Sequence, residues 1–128
     1  MKLQYVLPLF VLVAGCQKAA TDNSFQMEVE QKVRNELRDP ESAQFKDHYL
    51  YPANDVACGS VNSKNGFGGY IGFHYYAYAD GRVYFADRDT AGFSRVSAEC
   101  SKLEIASHQA EREERRKARE ARKANREY

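Results

Sequence analysis

Apolar side chains recur at every fourth position along one segment near the N-terminus, at Phe25, Val29, Val33 and Leu37. Charged residues fill most positions between them, so this segment predicts an amphipathic α-helix with one apolar face. We expect Asn23 or Ser24 to cap the start of the helix. We expect Asp39-Pro40 to end it, because proline disfavours helical geometry at the residue before it. The polar residues 16–24 that precede the helix predict a short tether.

The middle of the chain is rich in aromatic, β-branched and glycine residues, a composition typical of strands and tight turns. Strands are predicted over residues 56–63, 70–78 and 82–87, with an extended segment at residues 47–51 before them. A glycine-rich loop, residues 64–69, joins the first two of these strands.

The register of the last two strands depends on the length of the loop that joins them. If Ala79-Asp80-Gly81 is a three-residue loop with Gly81 left-handed, Tyr75 lies opposite Phe85. One face of the hairpin then carries Ile71, Phe73, Tyr75, Ala77, Val83 and Phe85. The other face, which we call the tyrosine face, carries Tyr70, His74, Tyr76, Tyr78, Arg82 and Tyr84. A two-residue loop would place Phe73 and Phe85 on opposite faces, so the three-residue loop is favoured.

The tyrosine face is a candidate binding surface. Tyrosine presents an aromatic plane with a polar tip, which suits glycans, peptides and partner proteins. The alternative is that these tyrosines are ordinary strand residues that a helix covers.

The C-terminal part of the chain predicts a second helix, whose apolar side docks on the sheet through Phe93, Val96, Cys100 and Leu103. From residue 109 the apolar stripe ends while helix-forming residues continue, so residues 109–128 predict a charged helical tail. At about 100° per residue, seven cations share roughly one third of the helix circumference. This basic stripe consists of Arg112, Arg115, Arg116, Arg119, Arg122, Lys123 and Arg126. It either binds anionic surfaces such as phospholipid headgroups, lipopolysaccharide phosphates or peptidoglycan carboxylates, or it is a solvated helix.

The length and the charge of the chain limit the number of domains and the class of protein. The chain has 128 residues, which is room for one small domain, placed at residues 25–108. The predicted fold class is α+β: an N-terminal amphipathic helix, an antiparallel sheet of three or four strands, and a C-terminal helix with a charged extension. Lys and Arg number 19 against 18 for Asp and Glu, and this balance excludes a generally basic nucleic-acid-binding protein.

The N-terminal residues carry the order of features found in export signals. A lysine follows the initiating methionine, residues 3–13 are largely apolar, and two small residues precede Cys16. This junction resembles the lipobox of bacterial lipoproteins, which implies a signal peptide over residues 1–15 and lipid attachment at Cys16. Gln17 in place of aspartate implies, by resemblance to enterobacterial sorting signals, anchoring in the outer membrane on its periplasmic side. The alternatives are an ordinary secretory signal and a buried N-terminal helix with an incidental cysteine.

Lipidation of Cys16 would leave two cysteines, Cys58 and Cys100. An even pair in an exported chain predicts a disulfide, because the periplasm is oxidising. The alternative is two buried thiols. The sequence has no C-x-x-C motif and no histidine or cysteine at metal-ligand spacing from either residue, so we expect no redox centre, no metal site and no cofactor.

Two segments together resemble a family of small exported proteobacterial proteins, some of them lipoproteins and some associated with prophages. They are residues 39–45, with the pattern DPxSAxF, and residues 58–73, with the pattern CGxVNxKNxxGGYxGF. The resemblance spans about residues 33–100, includes the late cysteine, and implies the same fold and disulfide. The family has no assigned activity, and the charged extension after Leu103 departs from its pattern.

The glycine-rich loop raises the possibility of a phosphate-binding loop, with Lys64 as the counter-charge and Asn62 and Asn65 as polar donors. The spacing of the glycines matches neither G-x-G-x-x-G nor G-x-x-x-x-G-K-[ST]. The alternative is that the glycines serve an irregular connection between two strands.

These features favour a non-enzymatic protein of the cell envelope. The three histidines, His48, His74 and His108, are scattered, and no carboxylate pair or nucleophile–base pattern accompanies them. We expect a lipid-anchored binding module whose partner is peptidoglycan, lipopolysaccharide or an envelope protein; nucleic acid is not expected for an exported chain. A prophage-type superinfection-exclusion lipoprotein is the alternative function, and an envelope hydrolase is the third.

Overall fold

A computed structural model describes the backbone of residues 16–126 and the side chains of residues 22–126. The predicted signal peptide (residues 1–15) and the predicted lipid attachment at the Cys16 thiol lie outside the described residues, as do residues 127 and 128.

The described chain forms two helices and one four-stranded sheet. Helix α1 spans Cys16–Asn35 and helix α2 spans Thr90–Ala124. The strands are β1 (Gln44–Tyr51), β2 (Val56–Lys64), β3 (Tyr70–Ala79) and β4 (Arg82–Phe85), and short 3₁₀ turns occupy Pro40–Ser42 and Pro52–Asn54. The strands lie in the order β1-β2-β3-β4 and every neighbouring pair is antiparallel. The predicted α+β fold is confirmed, with four strands.

Helix α1 packs against one face of the sheet through the apolar face that its sequence predicts. The core on this side consists of Phe25, Val29 and Val33 from the helix and Ala57, Val61, Tyr76, Tyr78 and Phe85 from the strands. The rings of Phe25 and Tyr78 meet edge to face with their centroids 5.7 Å apart. Burial of these side chains, at about 25 cal/mol per Å² of apolar surface, holds the helix on the sheet.

Helix α2 covers the opposite face of the sheet. Its buried residues Val96 and Cys100 pack with Ala77, Ala79 and Tyr84, which alternate along the strands with the residues that face α1. The predicted disulfide is present: Cys58 on β2 is bonded to Cys100, and their Cα atoms are 6.4 Å apart. The sheet is therefore enclosed by a helix on each side.

The start and end of α1 differ from the prediction. The segment predicted as a tether, residues 16–24, is helical and belongs to α1, so the two expected caps lie inside the helix. Residues 16–35 contain neither glycine nor proline, and nothing in them interrupts a helix. The helix ends at Asn35 rather than at Asp39, and bonds from Glu36 N–H to Val33 O and from Leu37 N–H to Arg34 O, both 3.0 Å, close its last turn.

The register predicted for the last hairpin is wrong. Its loop has two residues, Asp80 and Gly81, and Tyr76 rather than Tyr75 lies opposite Phe85. Both loop residues have positive φ (51° and 73°), as in the type I′ turn that Asp-Gly favours. The prediction assumed that one face of the hairpin is apolar and the other polar, whereas each face has its own helix and its own apolar residues.

Candidate functional site

The tyrosine face does not exist as a surface. Tyr76 and Tyr78 lie fully buried beneath α1, and Tyr84 lies buried on the opposite face, beneath α2. The alternative stated for these residues, strand tyrosines covered by a helix, is therefore the correct one.

The buried tyrosines serve the core. The Tyr78 hydroxyl donates a hydrogen bond to Glu28 Oε1 at 2.8 Å, and burial together with this bond raises the pKa of Tyr78. Burial, with a smaller effect of the Glu30 charge, raises the pKa of Tyr76. The Tyr76 hydroxyl oxygen is buried without a hydrogen-bond partner among the described residues.

The other three members of the tyrosine face are exposed or partly exposed, but they do not share a site. His74 Nδ1 lies 3.1 Å from Asp87 Oδ2 on the α1 side of the sheet. Arg82 lies on the α2 side, with its guanidinium 5.6 Å from the centre of the Tyr84 ring. Tyr70 is 48% exposed at the start of β3, and Lys64 Nζ lies 5.5 Å from the centre of its ring.

A different aromatic surface is exposed on the α2 side of the sheet, beyond the part that α2 covers. Tyr49, Phe73 and Tyr75 are 46%, 47% and 65% exposed. A recess of about 120 Å³ lies beside them, lined by Tyr49, Tyr75 and Phe93 among others. The three-residue loop predicted from the sequence put Phe73 and Tyr75 on the same face as Phe85. The Asp80-Gly81 dipeptide, taken as a two-residue turn, is the signal that would have put them on the other face.

His48 packs against the core that lies beneath α1. Its ring packs edge to face on Phe45 and Tyr76, with centroids 5.1 Å and 6.1 Å away. Its Nδ1 lies 3.8 Å from Glu30 Oε1, and its Nε2 is buried without a partner among the described residues. Burial lowers the pKa of His48, and the Glu30 carboxylate opposes this in part. The neutral imidazole is therefore favoured in the fold.

The glycine-rich loop is closed by its own hydrogen bonds. Asn65 N–H donates to Gly69 O at 2.8 Å, and Asn65 Oδ1 accepts from the backbone N–H groups of Phe67 and Gly69. Asn62 Oδ1 accepts from Gly72 N–H at 3.0 Å. The side-chain oxygens of both asparagines therefore stabilise the connection between β2 and β3 by accepting hydrogen bonds from backbone N–H groups within it and at the start of β3. The loop lacks the cradle of outward backbone donors that a phosphate loop requires.

Cations converge beside this loop, where α1 ends. A cleft of about 300 Å³ is lined by Glu36, Leu37, Arg38, Ser63, Lys64, Asn65, Ile71 and Arg88, and we call it the basic cleft. Three of these side chains are cationic and one is a carboxylate. Only Lys64 of these three cations was predictable from the sequence, since Arg38 and Arg88 are far from the loop along the chain and reach it only through the fold.

Helix α2 continues well beyond the domain that it helps to form. Leu103 is its last residue packed against the sheet, Ile105 is 58% exposed, and the helix extends to Ala124. The predicted helical tail is thus a continuation of α2, and all its arginines from residue 112 to residue 126 are exposed.

The basic stripe is only partly neutralised within the helix. Arg116 donates to Glu113 Oε1 at 2.6 Å and to Glu120 Oε1 at 2.8 Å, and these bonds raise the pKa of Arg116 while lowering that of Glu113. Lys117 Nζ, outside the stripe, lies 3.7 Å from Glu113. Four arginines have no carboxylate within 4 Å in the part of the chain that the structure describes: Arg112, Arg115, Arg119 and Arg122.

Over the described residues, no group of three or more histidine, cysteine, aspartate or glutamate side chains is placed to hold a metal ion. The helices described are also too short or too polar to cross a membrane.

Comparisons with family models, with curated proteins and with solved structures gave no match to the chain. The resemblance to exported proteobacterial proteins therefore stays a prediction from the sequence.

Proposed function

We propose that this protein is a lipid-anchored, non-enzymatic component of the bacterial cell envelope that binds an anionic envelope surface through the projecting part of α2. The observation that carries the proposal is a single helix that leaves the domain after Leu103 and presents a stripe of exposed arginines. Four of these arginines have no carboxylate partner among the described residues.

The length of the projecting helix suits this role. Its 21 residues from Glu104 to Ala124 span about 30 Å at 1.5 Å per residue. This exceeds the screening length of about 8 Å at physiological ionic strength. The stripe can therefore meet a charged surface while the domain, whose residues 17–108 carry a net charge of −3, stays at a distance from it.

The anchor follows from the lipobox resemblance. Acyl chains on Cys16 would hold the start of α1 at the bilayer, since burial of each CH₂ contributes about 0.8 kcal/mol. Because α1 is continuous from Cys16 to its packed face, the domain would sit close to the membrane. Mass spectrometry of the membrane-extracted protein should show loss of residues 1–15 and added lipid on Cys16. An unmodified Cys16 would disprove the anchor.

Cosedimentation with isolated peptidoglycan sacculi, and separately with lipopolysaccharide, tests the binding role. Full-length protein in neutral detergent should bind at least one of these probes, and binding should weaken as salt rises from low to physiological concentration. Deletion of residues 109–128 should abolish this binding and leave the domain folded. If truncated and full-length proteins bind equally at low salt, the stripe has no binding role.

A matched pair of variants separates the stripe from net charge. The double substitution Arg115→Glu and Arg119→Glu should reproduce the deletion. The control Lys102→Glu and Lys117→Glu changes the net charge by the same amount on α2 but lies off the stripe, and it should bind nearly as the wild type does. Equal loss in both pairs would show that total charge, not the stripe, determines binding.

A further inference from the structure

We propose that the basic cleft binds a phosphate monoester. The cleft is formed by the residues that follow α1, the end of β2, the start of β3 and the segment after β4. It lies apart from the arginine stripe of α2, so the inference does not depend on the function proposed above.

The charge of the cleft is unbalanced. Arg38, Lys64 and Arg88 line it together with a single carboxylate, Glu36. None of the three cations lies within 4 Å of a carboxylate among residues 22–126. Grouping like charges costs free energy unless an anion joins them. An excess of two positive charges matches a phosphate monoester, which carries nearly two negative charges at neutral pH.

The cations are held in place by contacts other than carboxylates. Arg88 Nη1 donates to Glu36 O at 3.1 Å, and its guanidinium carbon lies 4.4 Å from the centre of the Phe85 ring. The ammonium group of Lys64 lies 5.5 Å from the centre of the Tyr70 ring. Side chains positioned in advance lose less conformational entropy when a ligand binds.

Arg38 reaches the glycine-rich loop from the segment after α1. Its Nη1 would lie 3.0 Å from a Cβ atom at Gly66, so the absence of a side chain at this glycine leaves room for the guanidinium. A guanidinium can donate two parallel hydrogen bonds to phosphate oxygens, a geometry that an ammonium group cannot reproduce.

The uncharged residues that line the cleft provide contacts for the organic part of a phosphate ester, which inorganic phosphate lacks. The Oδ1 of Asn65 is occupied by loop N–H groups, so its Nδ2 is what it can offer a ligand. Leu37 and Ile71 supply an apolar wall. Ile71 reaches this side of the sheet because Gly72, at φ 97°, lies in an irregularity of the β2–β3 register that places Ile71 and Phe73 on opposite faces. A volume of about 300 Å³ is at the lower end of small-molecule sites.

The phosphate could belong to a soluble ester or to a lipid headgroup. Calorimetric titration of the full-length protein in neutral detergent separates these sources. One titrant is glucose 1-phosphate, and the other is mixed micelles that contain phosphatidic acid. Binding of the first alone assigns a soluble ester. Binding of the second alone assigns a headgroup where it persists after deletion of residues 109–128, which removes the arginine stripe. Binding of neither would overturn the proposal.

Variants test whether the cleft is the site. Arg38→Gln and, separately, Lys64→Gln should each weaken binding about tenfold, as expected for loss of a charge-assisted hydrogen bond. Arg38→Lys should weaken it less than Arg38→Gln does, because the charge remains and only the paired donors are lost. The control Lys102→Gln removes an exposed cation of α2 that lies outside both the cleft and the arginine stripe, and it should leave the affinity unchanged. Deletion of residues 109–128 should leave the affinity for glucose 1-phosphate unchanged.

The thermal unfolding midpoint of each variant shows that it is folded; Arg38 is exposed, so Arg38→Gln should match the wild type. Unchanged affinity in both cleft variants, or an equal loss in Lys102→Gln, would overturn the proposal.

Discussion

Gly59 decides how closely Tyr76 can lie across the sheet. A Cβ atom at this position would be 2.7 Å from the Tyr76 hydroxyl oxygen, 2.9 Å from Cζ of the same ring and 3.2 Å from His48 Cδ2. Tyr76 is fully buried and cannot move aside, so Gly59→Ala should lower the free energy of unfolding by about 1–3 kcal/mol.

Chemical denaturation measures this loss, and Gly69→Ala is the matched control. A Cβ atom at Gly69 would meet only Asn65 Oδ1, at 3.9 Å, so this variant should be close to the wild type. Equal stabilities for the two variants would mean that the Tyr76 ring does not constrain position 59.

His48 should make stability depend on pH. Burial lowers its pKa in the folded protein below the ordinary value of 6.5, so the unfolded chain binds the proton more readily. The contribution of neutral His48 is fully present above pH 6.5. It is lost as pH falls from 6.5 through the folded pKa, while the nearby Glu30 carboxylate limits the loss.

Denaturation curves between pH 7.5 and 5.5 test this dependence. His48→Phe should flatten the decline in unfolding free energy at the acidic end, whereas His108→Gln, on the exposed part of α2, should leave it unchanged. A wild-type curve that rises toward acidic pH would contradict the assignment.

Single residues also mark the limit of prediction from this sequence. The apolar stripe of α1 was predictable because Phe25, Val29 and Val33 all face the sheet. The burial of the strand tyrosines was not predictable from the sequence. Both faces of the sheet are covered by helices, so apolar and polar positions do not alternate along the strands as they would if one face were exposed. Asp80-Gly81 carried the missing information, since a two-residue turn determines which strand residues lie opposite each other.

At the scale of elements, the disulfide joins β2 to α2 across a separation of 42 residues. Restricting the unfolded chain over this loop stabilises the fold by about 4 kcal/mol on the chain-entropy estimate. The double substitution Cys58→Ala and Cys100→Ala should lower the unfolding free energy by a similar amount. Wild-type protein in excess reductant should reach the same value, and an unchanged midpoint under reductant would show that α2 is held by packing alone.

The elements themselves were more predictable than their contacts. Each strand was placed to within a few residues, because turn residues such as Pro52 and Gly81 separate the segments. The basic cleft was not predictable. Arg38 and Arg88 come from two connections between elements and Lys64 from the end of β2, and no local spacing brings the three together.

At the scale of the whole molecule, packing is concentrated in one part of the chain. Two apolar cores and a disulfide hold residues 25–103, whereas the rest of α2 is exposed and is supported within the described chain by pairs such as Glu113–Arg116. Exposed pairs of this kind contribute little, typically under about 1 kcal/mol. The projecting helix should therefore open locally far more often than the domain unfolds.

Limited trypsin digestion checks this difference, because cleavage after lysine or arginine requires an unfolded segment. Trypsin should cut first between Arg112 and Arg126, and mass spectrometry should show a product that keeps the Cys58–Cys100 bond. This product should unfold at nearly the same denaturant concentration as the intact protein, since no residue of either core lies beyond Leu103. First cuts after Arg34 or Lys46 would instead show that the projecting helix is as well protected as the domain, which would require a contact for the arginine stripe within the protein itself.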